Sequence, residues 1–293
     1  MSERELRSQP HTAEAVSIRK FLSTFGPEAL ALAIIGPIFI IPFIFMLTIA
    51  SKTRRGAALL EFSWPSEFAL FDNIKQVFAF GDGRMYHALW NSTLLTVFSV
   101  VLIVLLGALV AYTMQRRQDR VASIASTIIL AGLIIPPAVV PTIFVLQWLG
   151  IYKTLLGMVL IEVAFQLPFA VLVFRAFMAS IPRDLDEAAI MDGAGPLRVF
   201  FSVILPLLRP AIVTVVVVSS VSIYNDFVGP LYFLPGAKNV TVQLTLYAFI
   251  SQFSSSWNLL FADVIIITIL PLIMFIFFQR QIVSGMTAGA VRG

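Results

Sequence analysis

Long apolar runs separated by short polar segments constrain the fold of this chain more than any other feature. Crossing the hydrocarbon core of a bilayer, about 30 Å thick, takes about 20 apolar residues in a helix. Lipid-exposed backbone must satisfy its own hydrogen bonds, and the runs lack the short alternating pattern of a membrane β-barrel. The sequence therefore predicts an all-α, polytopic membrane protein with about six transmembrane helices. These cover about residues 29–50, 88–114, 121–148, 155–178, 206–228 and 259–278.

Composition supports the same class. Only 12% of the residues are charged, whereas soluble domains carry about a quarter. The net charge of +4 fits basic cytoplasmic loops better than nucleic-acid binding. The chain has no cysteine, which excludes disulfides and thiolate metal sites. His11 and His87 lie far apart and outside the apolar runs, so no metal site is predicted.

The distribution of arginine and lysine predicts the orientation. With the N-terminus inside, eleven of these residues fall on the cytoplasmic side and seven outside. Lys52, Arg54 and Arg55 disagree, because they follow the first span directly yet fall outside. Residues 1–28 lack the pattern of a removable signal peptide. We therefore expect a cytoplasmic N-terminal segment (1–28), a transmembrane domain (29–280) and a cytoplasmic tail (281–293).

The connection between the fourth and fifth spans, Ile181–Pro206, differs from every other segment. Asp184 is placed to cap a short helix, Gly193 to end it, and Gly195-Pro196 to turn the chain into a second helix. A plain connection needs only a few residues, so this segment predicts a helix-turn-helix that docks a cytoplasmic partner. Its small, partly apolar surface would consist of Leu185, Ala188, Ala189 and Met191.

Glu187-Ala188-Ala189, followed by Gly193 and Leu205-Pro206, resembles the EAA loop of bacterial ABC importer permeases. Val203 stands where that family's pattern has isoleucine, which is a conservative departure. The resemblance implies that the loop forms a coupling helix seated in a groove of an ATP-binding subunit. The implied coupling residues are Glu187, Ala188, Ala189, Met191, Asp192 and Gly193.

Two further segments resemble carbohydrate permeases of the maltose-transporter type. Tyr224-Asn225-Asp226-Phe227 precedes Gly229-Pro230-Leu231, and residues 279–293 are similar to the C-terminus of the MalG-like subunit. The resemblance implies a heterodimer with a MalF-like permease, two ATP-binding subunits and an extracytoplasmic solute-binding protein, in the bacterial inner membrane. It also implies that the tail, with Gly285 and Gly289, reaches the interface between the two ATPases.

The chain has no glycine-rich phosphate-binding loop and no catalytic constellation. We therefore predict that it is not an enzyme, binds no cofactor itself, and leaves ATP and Mg²⁺ to a partner ATPase. A secondary transporter driven by an ion gradient is the rival interpretation, but it would show more ionisable residues at mid-membrane and related halves. A membrane-embedded enzyme is a third alternative.

Four residues are candidates for the substrate pathway: Gln166, Tyr224, Asn225 and Asp226. Asp226 could meet a sugar hydroxyl or form a hydrogen bond at a helix end, and both alternatives stay open. Glu162 shares a helix face with Gln166, Arg175 is expected to extend towards the cytoplasm, and Asp263 is expected at the interface. The outer basic residues would suit an anionic sugar. They are Lys52, Arg54, Arg55, Lys75 and Arg84.

Overall fold

The computed structural model describes residues 33–117, 119–236, 239–250 and 256–290, with side chains described up to Gln279. This part of the chain is helical and contains no strand. The helices are α1 (Ala33–Ala50), α2 (Arg54–Ala58), α3 (Leu70–Ala79), α4 (Arg84–Arg116), α5 (Arg120–Ile134), α6 (Val139–Trp148), α7 (Leu155–Met178), α8 (Asp184–Met191), α9 (Pro196–Val199), α10 (Leu205–Leu207), α11 (Arg209–Tyr224), α12 (Val228–Phe233), α13 (Val242–Thr245) and α14 (Trp257–Ala290). A π-helical turn, Phe200–Ile204, joins α9 to α10, and a 3₁₀ turn, Leu246–Phe249, follows α13.

The described helices provide four membrane crossings, or the predicted six if each of two bent helix pairs is one span. Four are single helices: α1, α4, α7 and the part of α14 up to Gln279. Two are bent pairs: α5 with α6, at 118°, and the segment Pro196–Leu207 with α11, at 76°. The bend between α5 and α6 falls at Pro136-Pro137, and Ile135 before it is extended, as a residue preceding proline prefers. The predicted bounds of the fourth span coincide with α7.

The main hydrophobic core lies where α4 packs along α7. Gly107 permits this close approach, because a Cβ there would lie 3.1 Å from the Cβ of Ala170 and 3.3 Å from the ring of Phe174. Both of those α7 residues are fully buried. Small residues at such contacts let membrane helices pack backbone to backbone, where lipid supplies no hydrophobic driving force. The α4–α7 pair is therefore the frame on which the other helices assemble.

The fifth span ends earlier than predicted. We expected it to continue to about Val228, but α11 stops at Tyr224 and α12 begins afresh at Val228. The carboxylate of Asp226 accepts hydrogen bonds from the backbone N–H groups of Val228 and Gly229, at 3.0–3.2 Å. These bonds start a new helix at a point where the apolar sequence alone suggests continuity.

The segment between α1 and α4, which the predicted orientation places outside and which we call the outer segment, is joined to the bundle by buried polar contacts. The Asn73 amide donates to the carbonyl oxygens of Ala50 and Lys52, and its oxygen accepts from Asn258 on α14. The Lys52 ammonium is buried and donates to the carbonyl oxygen of Glu61 and to the Ser63 hydroxyl. Lys52 is therefore a structural residue of this segment.

Candidate functional site: the α8–α9 surface and the polar pathway face

The end of α8 has the geometry that the sequence predicted from Gly193. This glycine has a φ of +82°, in the left-handed region that favours glycine. The N–H of Gly193 donates to Ile190 O and the N–H of Ala194 donates to Ala189 O, both at 2.9 Å. This pair of bonds is a Schellman motif, which satisfies the last carbonyl groups of the helix. It sets the abrupt turn from α8 into α9.

The predicted cap at the start of α8 is wrong. Arg183 occupies the N-cap position without a side-chain hydrogen bond, and Asp184 is the first helical residue. Asp184 still stabilises the helix, because it lies with Asp186 and Glu187 in the first turn. Negative charge there interacts favourably with the positive end of the helix dipole.

An exposed apolar surface covers the tip of this helical pair. Met191, on α8, is 86% exposed, and Leu197, on α9, is 68% exposed. Ile190, which precedes Met191 on α8, is also exposed. Of the predicted coupling residues, Glu187, Ala188, Asp192 and Gly193 are exposed as well, whereas Ala189 packs partly against the main core. The sequence reasoning missed Ile190 and Leu197. We call the exposed set Glu187, Ala188, Ile190, Met191 and Leu197 the α8–α9 surface.

The base of α8 is held against the end of α4 by charge. Asp186 is 8% exposed, and its Oδ2 lies 2.6 Å from Arg116 Nη2. The Tyr112 hydroxyl donates to Asp186 Oδ1 at 2.8 Å. Asp186, the one buried residue of α8, therefore holds this helix against α4, while Met191 and Leu197 at the tip stay exposed.

Neutral amide groups come together where α7 meets the end of α11. The Gln166 amide donates to the Ser222 hydroxyl at 2.8 Å, and the Gln243 amide donates to Asn225 Oδ1 at 3.1 Å. Gln166 lies in the middle of α7, and Ser222 lies in the last turn of α11. We call the three amide side chains, Gln166, Asn225 and Gln243, together with the hydroxyl of Ser222, the amide group. The sequence pointed to Gln166 and Asn225 and missed Ser222 and Gln243.

The other two pathway candidates are placed differently. Tyr224 is buried in a second hydrophobic cluster beside Val240 and Val242. Asp226 caps α12, because its carboxylate accepts from the backbone N–H groups of Val228 and Gly229. Asp226 therefore forms the hydrogen bond at a helix end that was one of its two predicted alternatives.

Two further ionisable residues of the spans have specific partners. Arg175 Nη1 donates to the Ser126 hydroxyl on α5 at 2.7 Å, near the end of α7 that also carries α8. Asp263 is fully buried in the protein and accepts a hydrogen bond from the Thr245 hydroxyl, and its position at the membrane interface stays a prediction. Gly285 and Gly289 lie beyond the residues whose side-chain surroundings are described. Within the described ranges, no group of three or more His, Asp or Glu side chains could hold a metal ion.

Comparison with known proteins decides the family. The sequence profile described as "Binding-protein-dependent transport system inner membrane component" matches residues 103–287, which is more than half of the chain. The chain belongs to this permease family. The matched range contains the whole segment Asp184–Leu207 and every residue of the amide group.

Relatives of the permease match it along most of their length. The diacetylchitobiose uptake system permease protein NgcG of Streptomyces coelicolor is 31% identical, over 87% of this chain and 85% of its own. The probable starch degradation products transport system permease protein AmyC of Thermoanaerobacterium thermosulfurigenes is 31% identical, over 94% and 98%. A bacterial ABC transporter for the acidic polysaccharide alginate shares the fold, with a TM-score of 0.74 at 20% identity over 88% of this chain and 96% of its own.

Family membership and the several apolar helices make the permease a multi-pass protein of the inner membrane. They confirm the predicted all-α class, and the family consists of transport permeases rather than enzymes. The roles of the α8–α9 surface and of the amide group stay predictions at this point.

Proposed function

We propose that this permease forms half of the translocation pathway of an ATP-driven carbohydrate importer and is driven by a separate ATPase through the α8–α9 surface. The observation that carries the proposal is an apolar tip, Met191 and Leu197, exposed on the two short helices that the turn at Gly193 connects. Such a surface is costly in water, and it has the character of a docking site for a protein groove. ATP and Mg²⁺ would bind the partner.

The names of the relatives support the substrate class. Transporters for diacetylchitobiose, for starch degradation products and for melibiose, raffinose and stachyose contain permeases similar to this one. The amide group adds a physical argument, because Gln and Asn side chains both donate and accept and so match sugar hydroxyls. Its side chains are uncharged, which favours hydroxyl recognition over carboxylate recognition. The buried position of Lys52 removes one of the basic residues expected to attract an anionic sugar.

The implied assembly has four kinds of partner: a MalF-like second permease, two ATP-binding subunits, an extracytoplasmic solute-binding protein and the surrounding bilayer. A related fold occurs in an alginate ABC transporter crystallised with a pentasaccharide-bound periplasmic protein. Both termini of the permease would then be cytoplasmic, on the same side as the α8–α9 surface.

The docking role can be tested by replacing Met191 and Leu197 together with serine. We expect the co-purified ATP-binding subunit to fall about tenfold, because buried apolar anchors at the centre of an interface contribute most of its binding free energy. Leu59→Ser, at an exposed leucine of the outer segment, is the matched control and should leave the complex intact. Normal recovery of the ATPase with the double variant would refute docking at this surface.

The substrate class is tested separately with the reconstituted parent complex. Uptake of labelled neutral oligosaccharides into proteoliposomes, dependent on ATP and on the solute-binding protein, is the expected result. Uptake of uronate oligosaccharides alone would refute the preference for hydroxyl recognition, and uptake of neither would refute carbohydrate import.

A further inference from the structure

The contact between α8 and α4 is built from groups that membrane proteins seldom bury. Asp186 is the one residue of α8 that is buried, and it carries a charge. Both of its oxygens are engaged, one by Arg116 at 2.6 Å and the other by Tyr112 at 2.8 Å. We call these three residues the α4–α8 clamp. A charge buried in this way is held in place, since separating it from its partner leaves an uncompensated ion in a poorly solvated position.

Secondary contacts hold the same junction. Arg116 also reaches the carbonyl oxygen of Ile181, at 3.4–3.5 Å, in the connection between α7 and α8. Arg183 Nη2 reaches the carbonyl oxygen of Gln115 at 3.4 Å. The rings of Tyr112 and Phe200 lie 5.5 Å apart, which extends the contact to the π-helical turn. The end of α4 therefore contacts the connection that precedes α8 and the π-helical turn that follows α9.

The helix that carries Tyr112 and Arg116, α4, extends through the molecule. α4 has 33 residues and so spans about 50 Å at 1.5 Å per residue. Near its opposite end the Asn91 amide donates to the carbonyl oxygen of Val240, and the Ser92 hydroxyl accepts from the N–H of Val242. Val242 immediately precedes Gln243 of the amide group. One helix therefore connects the α8–α9 surface with the segment that borders the amide group.

We propose that Arg116 and Tyr112 are positioning residues for energy coupling: they clamp α8 to α4, so that displacement of α8 by the ATPase moves α4 as one body. The inference rests on the proposed function, since it needs an ATPase docked on the α8–α9 surface. It adds that α4 carries the movement across the membrane. A flexible junction would let α8 move while α4 and the amide group stay in place.

Asp186→Asn tests the clamp, because it removes the charge but keeps the size of the side chain and an acceptor for Tyr112. In the reconstituted transporter we expect ATP hydrolysis and subunit assembly to persist, and sugar transported per ATP to fall about tenfold. Tyr112→Phe keeps the ion pair and should lower this ratio less. Normal transport per ATP in Asp186→Asn would overturn the proposal.

A covalent replacement for the clamp separates positioning from a folding defect. The chain has no cysteine, so Gln115→Cys with Arg183→Cys introduces a unique pair beside the clamp. Joining this pair with a short bis-maleimide in the Asp186→Asn background should restore most of the lost transport per ATP. The same cross-link in the Asp186 background should leave transport unchanged. If cross-linking stops transport there while ATP hydrolysis continues, α8 must move against α4 and the clamp is refuted.

Failure of the clamp and failure of the proposed function have different signatures. If the ATP-binding subunit is absent from the parent complex, both are overturned. If the subunit is present and the Met191 and Leu197 double variant loses it, the docking surface is established. A normal coupling ratio in Asp186→Asn then overturns the clamp alone.

Discussion

Charged side chains inside this permease are bound to specific partners rather than left to face lipid. The Lys52 ammonium bonds within the outer segment, Asp226 caps α12, and Asp186 pairs with Arg116. Each of these groups would be costly if unpaired in a poorly solvated region. The small number of charges in the chain thus acts mainly at helix ends and at junctions between helices.

Asp119 shows the same use of charge outside the membrane, at the start of α5. Its carboxylate accepts from the N–H of Ala122 at 2.9 Å and pairs with Arg117. The backbone bond, with the nearby guanidinium second, lowers the pKa of Asp119 below its ordinary value. A lowered folded-state pKa contributes stability above the unfolded-state pKa of about 4, and this contribution is lost as pH falls through the folded-state value.

The predicted consequence is a pH-dependent difference between the parent protein and Asp119→Asn. Asparagine still caps a helix but does not titrate. At pH 7 we expect the parent to unfold at the higher temperature in detergent, and the difference to shrink below about pH 4. A difference that stays constant from pH 7 to pH 3 would contradict the assignment of the shift to this carboxylate.

Features formed by residues close in sequence could be predicted from the sequence. Contacts between residues far apart in the sequence could not. The stop at Gly193 follows from local backbone chemistry, and Glu187 to Asp192 form one continuous segment. The bond between Tyr112 and Asp186 joins residues 74 positions apart, and nothing in either local sequence indicates the other. Gln243 was missed for the same reason, because only the return of the chain brings it to Asn225.

At the scale of helices, apolar length predicted the spans, and proline accounts for one of the breaks in them. The pair Pro136-Pro137 falls at the bend between α5 and α6. The end of α11 was not predicted correctly, because apolar residues resume at Phe227 and Val228 after the polar pair Asn225-Asp226. Capping by Asp226 and the π-helical turn at Phe200 depend on side-chain contacts that hydropathy does not measure.

The α4–α7 contact leads to a prediction about packing. Gly107→Val should force these helices apart, since even a Cβ would lie 3.1 Å from Ala170. Overpacking of this kind costs about 1–3 kcal/mol. We expect a lower unfolding temperature in detergent. Scanning fluorimetry of the tryptophans measures this temperature.

Gly36→Val in α1 is the matched control for Gly107. A Cβ at Gly36 would meet nothing within 4 Å, so we expect a change in stability of about 0.5 kcal/mol or less. Equal shifts in the two variants would mean that helix propensity, and not the α4–α7 contact, determines the effect of valine at Gly107.

For the whole molecule, the orientation in the membrane determines whether the α8–α9 surface can meet an ATPase. The count of basic residues favours a cytoplasmic N-terminus, with Lys52, Arg54 and Arg55 as the exception. The structure weakens that exception, because the Lys52 ammonium is buried in bonds to Glu61 and Ser63. A lysine fixed by folding gives less information about sidedness than one free to meet the lipid surface.

Cysteine labelling in cells tests this orientation directly, since the parent has no cysteine and thus no background. Trp64, in the outer segment, and Met191, on α8, are 88% and 86% exposed, so a thiol at either position would be accessible. In cells that lack the ATP-binding subunit, which would otherwise cover Met191, we expect a membrane-impermeant maleimide to label Trp64→Cys in intact cells. It should label Met191→Cys only after the inner membrane is opened. The converse pattern would place the α8–α9 surface outside the cell. It would exclude docking of a cytoplasmic ATPase there, and with it both the proposed coupling and the α4–α8 clamp.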